Sequence, residues 1–361
     1  MSAAHTARQE MLVAGLVGRG IGVVVVTESA NVRYLTGYVG SNGIALVGSS
    51  GSVLLTDSRY AVSAHEQVTS AEVVVGGRDL LGDVAARAAT MAGSGTVGVE
   101  AEDMTLARHS RLVELLGDVP VELTRGLVED LRQDKDPAEV ASMREAAAVI
   151  DRALATVLDR GIVGRTEQQV AFSLLEAMLD EGGEEPSFAT IVGSGPRGAR
   201  PHHVPGAAVI PPNTLVVIDL GAVVDGYCSD MTRTVATGPL PERLQEIYAV
   251  CLAAQEACLA AARPGMTTGE LDAVARTRIA EAGYGAHFGH GLGHGVGLAI
   301  HERPGVRPDG SDVLRAGMAI TIEPGIYLEG EGGVRIEDLL ILGEGGNEVL
   351  STSPKALRTV E

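Results

Sequence analysis

The sequence predicts an α+β protein of two domains, the first over residues 1–132 and the second over residues 133–361. Short strand-like runs alternate with helical patterns in the first third of the chain, which indicates an α/β domain with a mixed sheet. A helix start at Asp136-Pro137 breaks this alternation. The remainder carries an approximate internal repeat of 100 residues, so we expect the second domain to consist of two similar halves.

The first domain is predicted from the spacing of its apolar residues. Helical spacing predicts helices over 7–16, 80–91 and 106–116. Short apolar runs of strand length occur between and after these segments. The predicted strands cover residues 22–27, 43–48, 52–56, 72–75, 96–100 and 119–123.

The second domain is predicted to begin with a long helix over 138–159. A second amphipathic helix starts just after Thr166, and a similar helix starts just after Thr267. Each is followed by a phenylalanine and then by an apolar strand that ends in an acidic residue. The matched pairs are Phe188 with Phe288 and Asp219 with Glu323. This order predicts two halves that run helix, helix, strands.

The charge balance limits the partners. The chain carries 28 Lys and Arg against 47 Asp and Glu, which gives a net charge of −19 at pH 7. A phosphate backbone or an anionic membrane surface is bound by clustered cations, so we expect neither nucleic acid nor membrane as a partner. Most of the acidic surplus is expected to be ordinary solvated surface.

The sequence indicates a cytoplasmic protein. Its longest apolar stretches fall far short of the roughly 20 residues that span a bilayer, and the N-terminus lacks the pattern of a secretory signal. Three cysteines argue against a disulfide framework. We expect Cys251 and Cys258, which lie on one predicted helix, to pack as small core residues in a reducing compartment.

Four acidic residues occupy positions where a buried charge is costly. Asp219 and Glu323 each end an apolar strand, and Glu337 lies between two apolar runs. Asp230 follows Asp219 across Asp225-Gly226, a common hairpin signal, so adjacent antiparallel strands could bring the two aspartates together. Glu323 and Glu337 can meet in the same way. Four converging carboxylates would repel one another strongly without a cation, so the sequence predicts a metal site.

Histidines strengthen the prediction of a metal site. The glycine-rich run 288–304 contains His290, His294 and His301. One imidazole with four carboxylates is a hard ligand set that suits two Mn²⁺ ions, with Zn²⁺ or Co²⁺ as alternatives, rather than a thiolate-type structural zinc site. The GxGxxG-like spacing within this run lacks the strand and helix context of a dinucleotide site, so none is expected.

The motifs around these residues resemble those of the pita-bread metallopeptidases, the family of methionine aminopeptidase, aminopeptidase P, prolidase and creatinase. The motifs are Ile218-Asp-Leu-Gly, Tyr227-Cys-Ser-Asp-Met-Thr-Arg-Thr, Gly293-His-Gly-Val-Gly, Ile300-His-Glu, Ile322-Glu-Pro-Gly and Gly333-Val-Arg-Ile-Glu-Asp. Residues 31–38 and 55–60 are similar to the creatinase/prolidase N-terminal domain, and residues 134–147 to its domain junction. The resemblance implies a creatinase-type N-terminal α/β domain followed by a pseudo-symmetric pita-bread catalytic domain.

The resemblance also implies a set of site residues. The metal ligands are Asp219, Asp230, His294, Glu323 and Glu337, of which Asp230 and Glu337 bridge both ions. The catalytic residues are His301, His290, His202 and Glu323, where His301 hydrogen-bonds the scissile carbonyl and Glu323 carries the proton. The substrate-binding residues are His202, His290 and Arg335, with His203 as the alternative to His202. Apart from that alternative, His203 and His287 are expected to be exposed loop residues.

The implied function is a dinuclear-metal peptidase that hydrolyses the Xaa-Pro bond of dipeptides or short peptides, an Xaa-Pro dipeptidase. Its partner is a peptide with proline at the second position, and the family resemblance implies a homodimer. The alternative is an aminopeptidase P that acts on longer peptides. A creatinase-like hydrolase and a non-catalytic binding module are less favoured, because all five ligand positions hold metal-binding residues. Gly305 stands where some prolidases carry an arginine for the dipeptide carboxylate, so strict dipeptide specificity does not follow.

Overall fold

The first unit contains a six-stranded mixed sheet. The computed structural model describes residues 2–361, and the chain divides into two compact units, Met1–Arg132 and Gln133–Glu361. The strands of the first are β1 (Ile21–Val26), β2 (Gly43–Gly48), β3 (Gly51–Asp57), β4 (Glu72–Gly76), β5 (Thr96–Glu100) and β6 (Val121–Thr124). Its helices are α1 (Ser2–Leu16), α2 (Ser29–Thr36), α3 (Ala61–Gln67), α4 (Leu81–Ala92), α5 (Leu106–Leu116) and α6 (Glu129–Arg132).

The strand order is β4-β3-β2-β1-β5-β6, with antiparallel and parallel pairs in one sheet, which confirms the predicted mixed sheet. β1 lies inside the sheet, and four of its six residues are valine, as expected for a strand covered on both faces. Three short helices were not predicted from the sequence, namely α2, α3 and α6. They span only four to eight residues, too few to establish a helical period.

The second unit has helices α7 (Pro137–Asp159), α8 (Glu167–Asp180), α9 (Glu242–Ala261) and α10 (Thr268–Glu281). Its strands are β7 (Glu185–Pro186), β8 (Ile191–Ser194), β9 (Leu215–Leu220), β10 (Ala222–Val224), β11 (Tyr227–Cys228), β12 (Met231–Ala236), β13 (Gly293–Gly295), β14 (Glu302–Val306), β15 (Ala319–Ile322), β16 (Gly325–Leu328), β17 (Gly332–Arg335), β18 (Asp338–Ile341) and β19 (Glu348–Val349). The principal sheets are β12-β9-β8 and β14-β13-β15-β18-β19.

The second unit contains two halves with matching local structure, as predicted. Each half has a long helix, a 14-residue helix, and then two antiparallel strands joined through a hairpin. Capping boxes begin both 14-residue helices, from Thr166 to Gln169 and from Thr267 to Glu270. The two threonines also form equivalent isolated bridges. The repeat seen in the sequence is therefore a repeat of structure.

Hairpins bring the acidic residues of each half together. Asp225 and Gly226 join β10 to β11 with positive φ angles of 48° and 77°, as a type I′ turn requires. Asp219 near the end of β9 then lies opposite Thr232, two residues beyond Asp230. In the second half β15 pairs with β18 around the β16–β17 hairpin, so the strand end before Glu323 meets the strand start after Glu337.

Separate hydrophobic clusters form the interior of the second unit. One packs α7 and α8 against β9 and β12, and another packs α9 and α10 against β15 and β18. Cys251 and Cys258 lie in the latter and are fully buried, which confirms their predicted place in the core. Within residues 2–361, no helix combines the length and the apolar character needed to cross a bilayer.

Candidate active site

The predicted site residues line one cavity of about 460 Å³ in the second unit. They are His202, Asp219, Asp230, His290, His294, His301, Glu323, Arg335 and Glu337. Ligand atoms of Asp230, His294 and Glu337 all lie within 4.8 Å of one another. His294 Nε2 is 3.5 Å from an oxygen of Asp230 and 3.4 Å from an oxygen of Glu323. The structure therefore brings together the residues that the sequence places up to 135 positions apart.

Local structure turns His294 toward the acids. Its Nδ1 donates to the carbonyl of Gly295 at 2.9 Å, which leaves the lone pair of Nε2 facing the carboxylates. Its backbone N–H donates to Thr321 Oγ1 at 3.0 Å. A Cβ at Gly293 would collide with the carbonyl oxygen of Thr321, so β13 can approach β15 this closely only with glycine at that position. The neutral imidazole is thus presented as a metal ligand.

Arg335 is the link between the acids of the two halves. Its Nη2 donates to Asp219 Oδ2 at 2.6 Å, and its Nε donates to Thr232 Oγ1 at 2.9 Å. The Thr232 hydroxyl in turn donates to Glu337 Oε2 at 2.7 Å. Asp219 Oδ1 is buried without a hydrogen-bond partner among the described residues. One oxygen of Asp219 is therefore held by the protein, and the other is left for a cation.

Burial and mutual repulsion make the acid cluster costly in the absence of a counter-charge. Burial, together with the carboxylates of Glu337, Asp219 and Glu323, raises the pKa of Asp230 well above its usual value. Burial and the same kind of repulsion raise the pKa of Glu337. Burial raises the pKa of Glu323 to about 7, although Arg335 acts in the opposite direction.

The donor set fits a hard divalent cation. Four carboxylates meet one arginine and one neutral imidazole, so negative charge is in excess. Carboxylate oxygen with imidazole nitrogen suits Mn²⁺, Zn²⁺ or Co²⁺. The unpaired Asp219 oxygen and the inward-facing His294 Nε2 are the two observations that favour metal over protonation as the source of balance.

Three further histidines border the cavity beside the acids. The ring of His301 meets that of His294 edge to face, with centroids 4.4 Å apart. His290 donates from Nδ1 to the carbonyl of Gly291 at 2.7 Å, and its Nε2 lies 2.9 Å from the Tyr327 hydroxyl. Burial lowers the pKa of His290 to about 4, so this ring is neutral near neutral pH. His202 is exposed at the cavity wall.

Tyr327 is a site residue that the sequence analysis missed. Its hydroxyl accepts from Arg335 Nη1 at 3.0 Å and faces His290, so it joins the arginine to the histidine. A Cβ at Gly325 would collide with that hydroxyl. Tyr327 can therefore take this position only because residue 325 is glycine. The alternation of Gly325 and Tyr327 on a strand beside Glu323 was the available signal. Arg335, predicted to bind substrate, directs its hydrogen bonds to protein groups, including the Pro201 carbonyl at 3.3 Å.

His203 is not the exposed loop residue that was expected. Its side chain is only 8% exposed, and its Nε2 donates to Glu167 Oε2 at 2.8 Å. The buried Glu167 also accepts from Arg197 Nε at 2.7 Å and from both N–H and hydroxyl of Ser194 at 2.8 Å. Glu167 therefore holds the loop from which the neighbouring His202 reaches the cavity.

Replacing Glu167 by glutamine is expected to lower the stability of the protein by about 2 kcal/mol at pH 7, because charge-assisted hydrogen bonds are lost. Burial raises the pKa of Glu167, but Arg197, His203 and Ser194 outweigh it and bring the pKa below its usual 4.5. The carboxylate then contributes stability above pH 4.5 that is lost as the pH falls through its lower folded-state pKa. The difference between Glu167→Gln and the parent should therefore shrink in acid.

Melting temperatures of both proteins at pH 7 and in steps below pH 4.5 measure this effect. Glu176→Gln, an exposed change on the same helix, serves as the control. A difference between Glu167→Gln and the parent that stays constant down to acid pH would contradict the assigned pKa shift.

Apolar residues form another part of the cavity wall. Phe188, Ile191 and Ile300 are half-buried there, and Val204 is exposed beside His203. A cavity lined by apolar side chains together with a few polar and charged groups is typical of a site for small organic ligands. The cavity therefore offers both apolar and polar contacts to such a ligand.

Comparisons with known proteins agree with this geometry. Residues 141–344 match metallopeptidase family M24, and residues 8–134 match the creatinase/prolidase N-terminal domain. An Xaa-Pro dipeptidase of Pyrococcus horikoshii is 34% identical over 346 residues, which cover 93% of this chain and 94% of that protein.

Solved structures show the same likeness. An Xaa-Pro dipeptidase from Bacillus anthracis is 38% identical with a TM-score of 0.95, covering 99% of this chain and 100% of that one. An X-Pro aminopeptidase from Thermotoga maritima is 35% identical with a TM-score of 0.89, covering 98% and 100%. The matches extend over both units and the whole site, and the chain therefore belongs to metallopeptidase family M24, the metal-dependent peptidases, with a creatinase/prolidase N-terminal domain.

Proposed function

We propose that this chain is an Xaa-Pro dipeptidase that uses two divalent metal ions, with Mn²⁺ as the preferred ion and Zn²⁺ or Co²⁺ as alternatives. The observation that carries the proposal is the convergence of five ligand residues on one cavity, with an unpaired Asp219 oxygen and a correctly turned His294. The ligand set is Asp219, Asp230, His294, Glu323 and Glu337. A non-catalytic relative would have no need to keep this costly cluster.

The Lewis acidity that such ions supply when bound polarises a carbonyl and makes water nucleophilic near neutral pH. His301 would donate a ring N–H to the oxygen of the scissile carbonyl as negative charge develops there. Burial and the neighbouring His294 and His202 lower the pKa of His301, so it would act as a neutral donor. His301 is thereby assigned to the transition state rather than to metal binding.

Glu323 is assigned the proton transfer. The bond before proline is a tertiary amide, so its nitrogen carries no hydrogen and must gain a proton to leave as a secondary amine. The Glu323 carboxylate, 17% exposed and 3.4 Å from His294, can take a proton from the attacking water and deliver it to that nitrogen. Thr321 orients it by donating to Glu323 Oε1 at 3.1 Å.

The apolar part of the cavity wall is assigned to the proline ring and the side chain before it. Phe188, Ile191 and Ile300 offer a surface without charge in the same cavity as the acids. His202 and His290 would contact polar atoms of the peptide from the neighbouring side. Arg335 would act mainly by holding Asp219 and Tyr327 in place.

We further propose that the enzyme is a cytoplasmic homodimer that acts on peptides with proline at the second position. The buried thiols of Cys251 and Cys258 suit a reducing compartment. The acidic surface disfavours other classes of macromolecule as substrates, because nucleic acid would be repelled. The family resemblance supports the dimer.

The experiment that tests the function compares Ala-Pro with Ala-Pro-Ala after reconstitution with Mn²⁺, and Ala-Ala serves as the control peptide. We expect kcat/KM to be highest for Ala-Pro and Ala-Ala to remain intact. Cleavage of the tripeptide without cleavage of the dipeptide would establish the aminopeptidase alternative. Gly305 and the similarity to the Thermotoga X-Pro aminopeptidase favour that alternative. Failure to cleave any peptide before proline would overturn the proposal.

A further inference from the structure

We propose that Asp272 and Arg276, two residues of α10 outside the cavity lining, are positioning residues for the active site. Their side chains form hydrogen bonds with the main chain of residues 288–292. This segment contains His290, which lines the cavity. The inference rests on the proposed function for its kinetic test, and a second measurement below is independent of that function.

The two residues form a rigid pair. Arg276 Nε lies 2.7 Å from Asp272 Oδ2, and Arg276 Nη2 lies 2.9 Å from Asp272 Oδ1. Asp272 is 1% exposed, whereas the side chain of Arg276 is 29% exposed. A two-point contact between guanidinium and carboxylate fixes direction as well as distance. The pair therefore presents its remaining donors and acceptors in one defined orientation.

The pair binds three main-chain groups spaced two residues apart. Arg276 donates from Nη1 to the Phe288 carbonyl at 3.0 Å and from Nη2 to the His290 carbonyl at 2.8 Å. Asp272 Oδ1 accepts from the Leu292 N–H at 3.0 Å. The guanidinium also lies over the Phe288 ring, 4.4 Å from its centroid. The Asp272–Arg276 ion pair thus holds the main chain of the segment at residues 288, 290 and 292.

These contacts fix the main chain at His290. The main chain of His290 is held by Arg276, while its ring meets Tyr327 at 2.9 Å on the cavity side. His294 lies two residues beyond Leu292, and its main chain is held separately by Thr321. Because a displacement of about 1 Å at a reacting group can cost about 100-fold in rate, loosening the segment should affect turnover.

Lysine cannot replace this arginine. An ammonium is a single point of charge, whereas the planar guanidinium offers five donors in a fixed fork. A lysine side chain at this position could not bind Asp272 and the carbonyls of residues 288 and 290 in the way that the guanidinium does. We therefore expect Arg276→Lys to recover only part of the function that Arg276→Met loses.

The kinetic test measures kcat, KM and bound metal for Arg276→Met and Arg276→Lys with Ala-Pro. Arg276→Met should lower kcat by about 30- to 100-fold with the metal content unchanged, and Arg276→Lys should fall between it and the parent. Arg278→Met, an exposed change on the same helix, should behave as the parent. In a His290→Ala background, Arg276→Met should have little further effect, which a general loss of stability would not produce.

A spectroscopic test does not depend on the reaction. Side-chain ¹⁵N spectra of the histidines in the Zn²⁺-loaded protein, with His290 assigned from His290→Ala, should show the His290 signal shifted by Arg276→Met and unmoved by Arg278→Met. An unmoved His290 signal, a kcat within twofold of the parent, or losses that multiply fully in the double variant would each overturn the proposal. If the parent protein cleaved no peptide before proline while the signal shifted, the proposed function alone would fail.

Discussion

Replacing His301 by alanine is expected to lower kcat for Xaa-Pro hydrolysis by about 10²- to 10³-fold, the usual cost of removing one donor to a developing oxyanion. His301 lines the cavity and packs edge to face on His294 at 4.4 Å between centroids. It does not belong to the cluster formed by Asp230, His294 and Glu337. The metal content should therefore stay at the level of the parent.

Steady-state kinetics with Ala-Pro, combined with elemental analysis, measure both expectations for His301→Ala. His65→Ala, which lies on the surface of α3 in the first unit, controls for the loss of an imidazole. Near-full activity of His301→Ala would remove this residue from the mechanism. Loss of metal from His301→Ala would show instead that it belongs to the ligand set.

Replacing Glu337 by alanine is expected to remove metal and, with it, turnover. Glu337 is 1% exposed, and its carboxylate lies within 4.8 Å of the ligand atoms of Asp230 and His294. Thr232 donates to Glu337 Oε2 at 2.7 Å. If Glu337 holds both ions, as the family resemblance implies, its loss would weaken both, and the metal content should fall from two ions to fewer than one per chain.

Elemental analysis after dialysis, followed by the Ala-Pro assay, tests this expectation. Glu344→Ala removes an exposed acid a few residues beyond and should retain both metal and activity. A Glu337→Ala protein that keeps two ions per chain would contradict the assigned ligand set. Excess Mn²⁺ in the assay should restore only part of the activity, because one carboxylate that would hold the ions is absent.

Local signals explain how much of the fold could be predicted. Asp136 and Pro137 mark the start of α7 through capping chemistry that involves only near neighbours. Asp225 and Gly226 mark their hairpin for the same reason, since both adopt positive φ. The short α2 and α6 escaped prediction because their few residues leave no periodic trace, and their stability comes from tertiary packing.

The site likewise contains features that local sequence predicts and features that it does not. Its five candidate ligands were recognisable as acids and a histidine in apolar or glycine-rich surroundings. Their supporting contacts were not, because Glu167 meets His203 across 36 residues and Arg335 meets Asp219 across 116. His202 and His203 both line the cavity, but only His203 contacts Glu167. No local pattern in the sequence reveals that contact.

The most direct test of a metal-dependent Xaa-Pro dipeptidase is a titration of the metal-free protein with Mn²⁺. Bound metal and the rate of Ala-Pro hydrolysis are measured at each step. We expect no turnover in the metal-free protein and a rate that rises until two ions are bound per chain. Turnover that persists after complete removal of metal, or two bound ions without hydrolysis of Ala-Pro, would contradict this assignment.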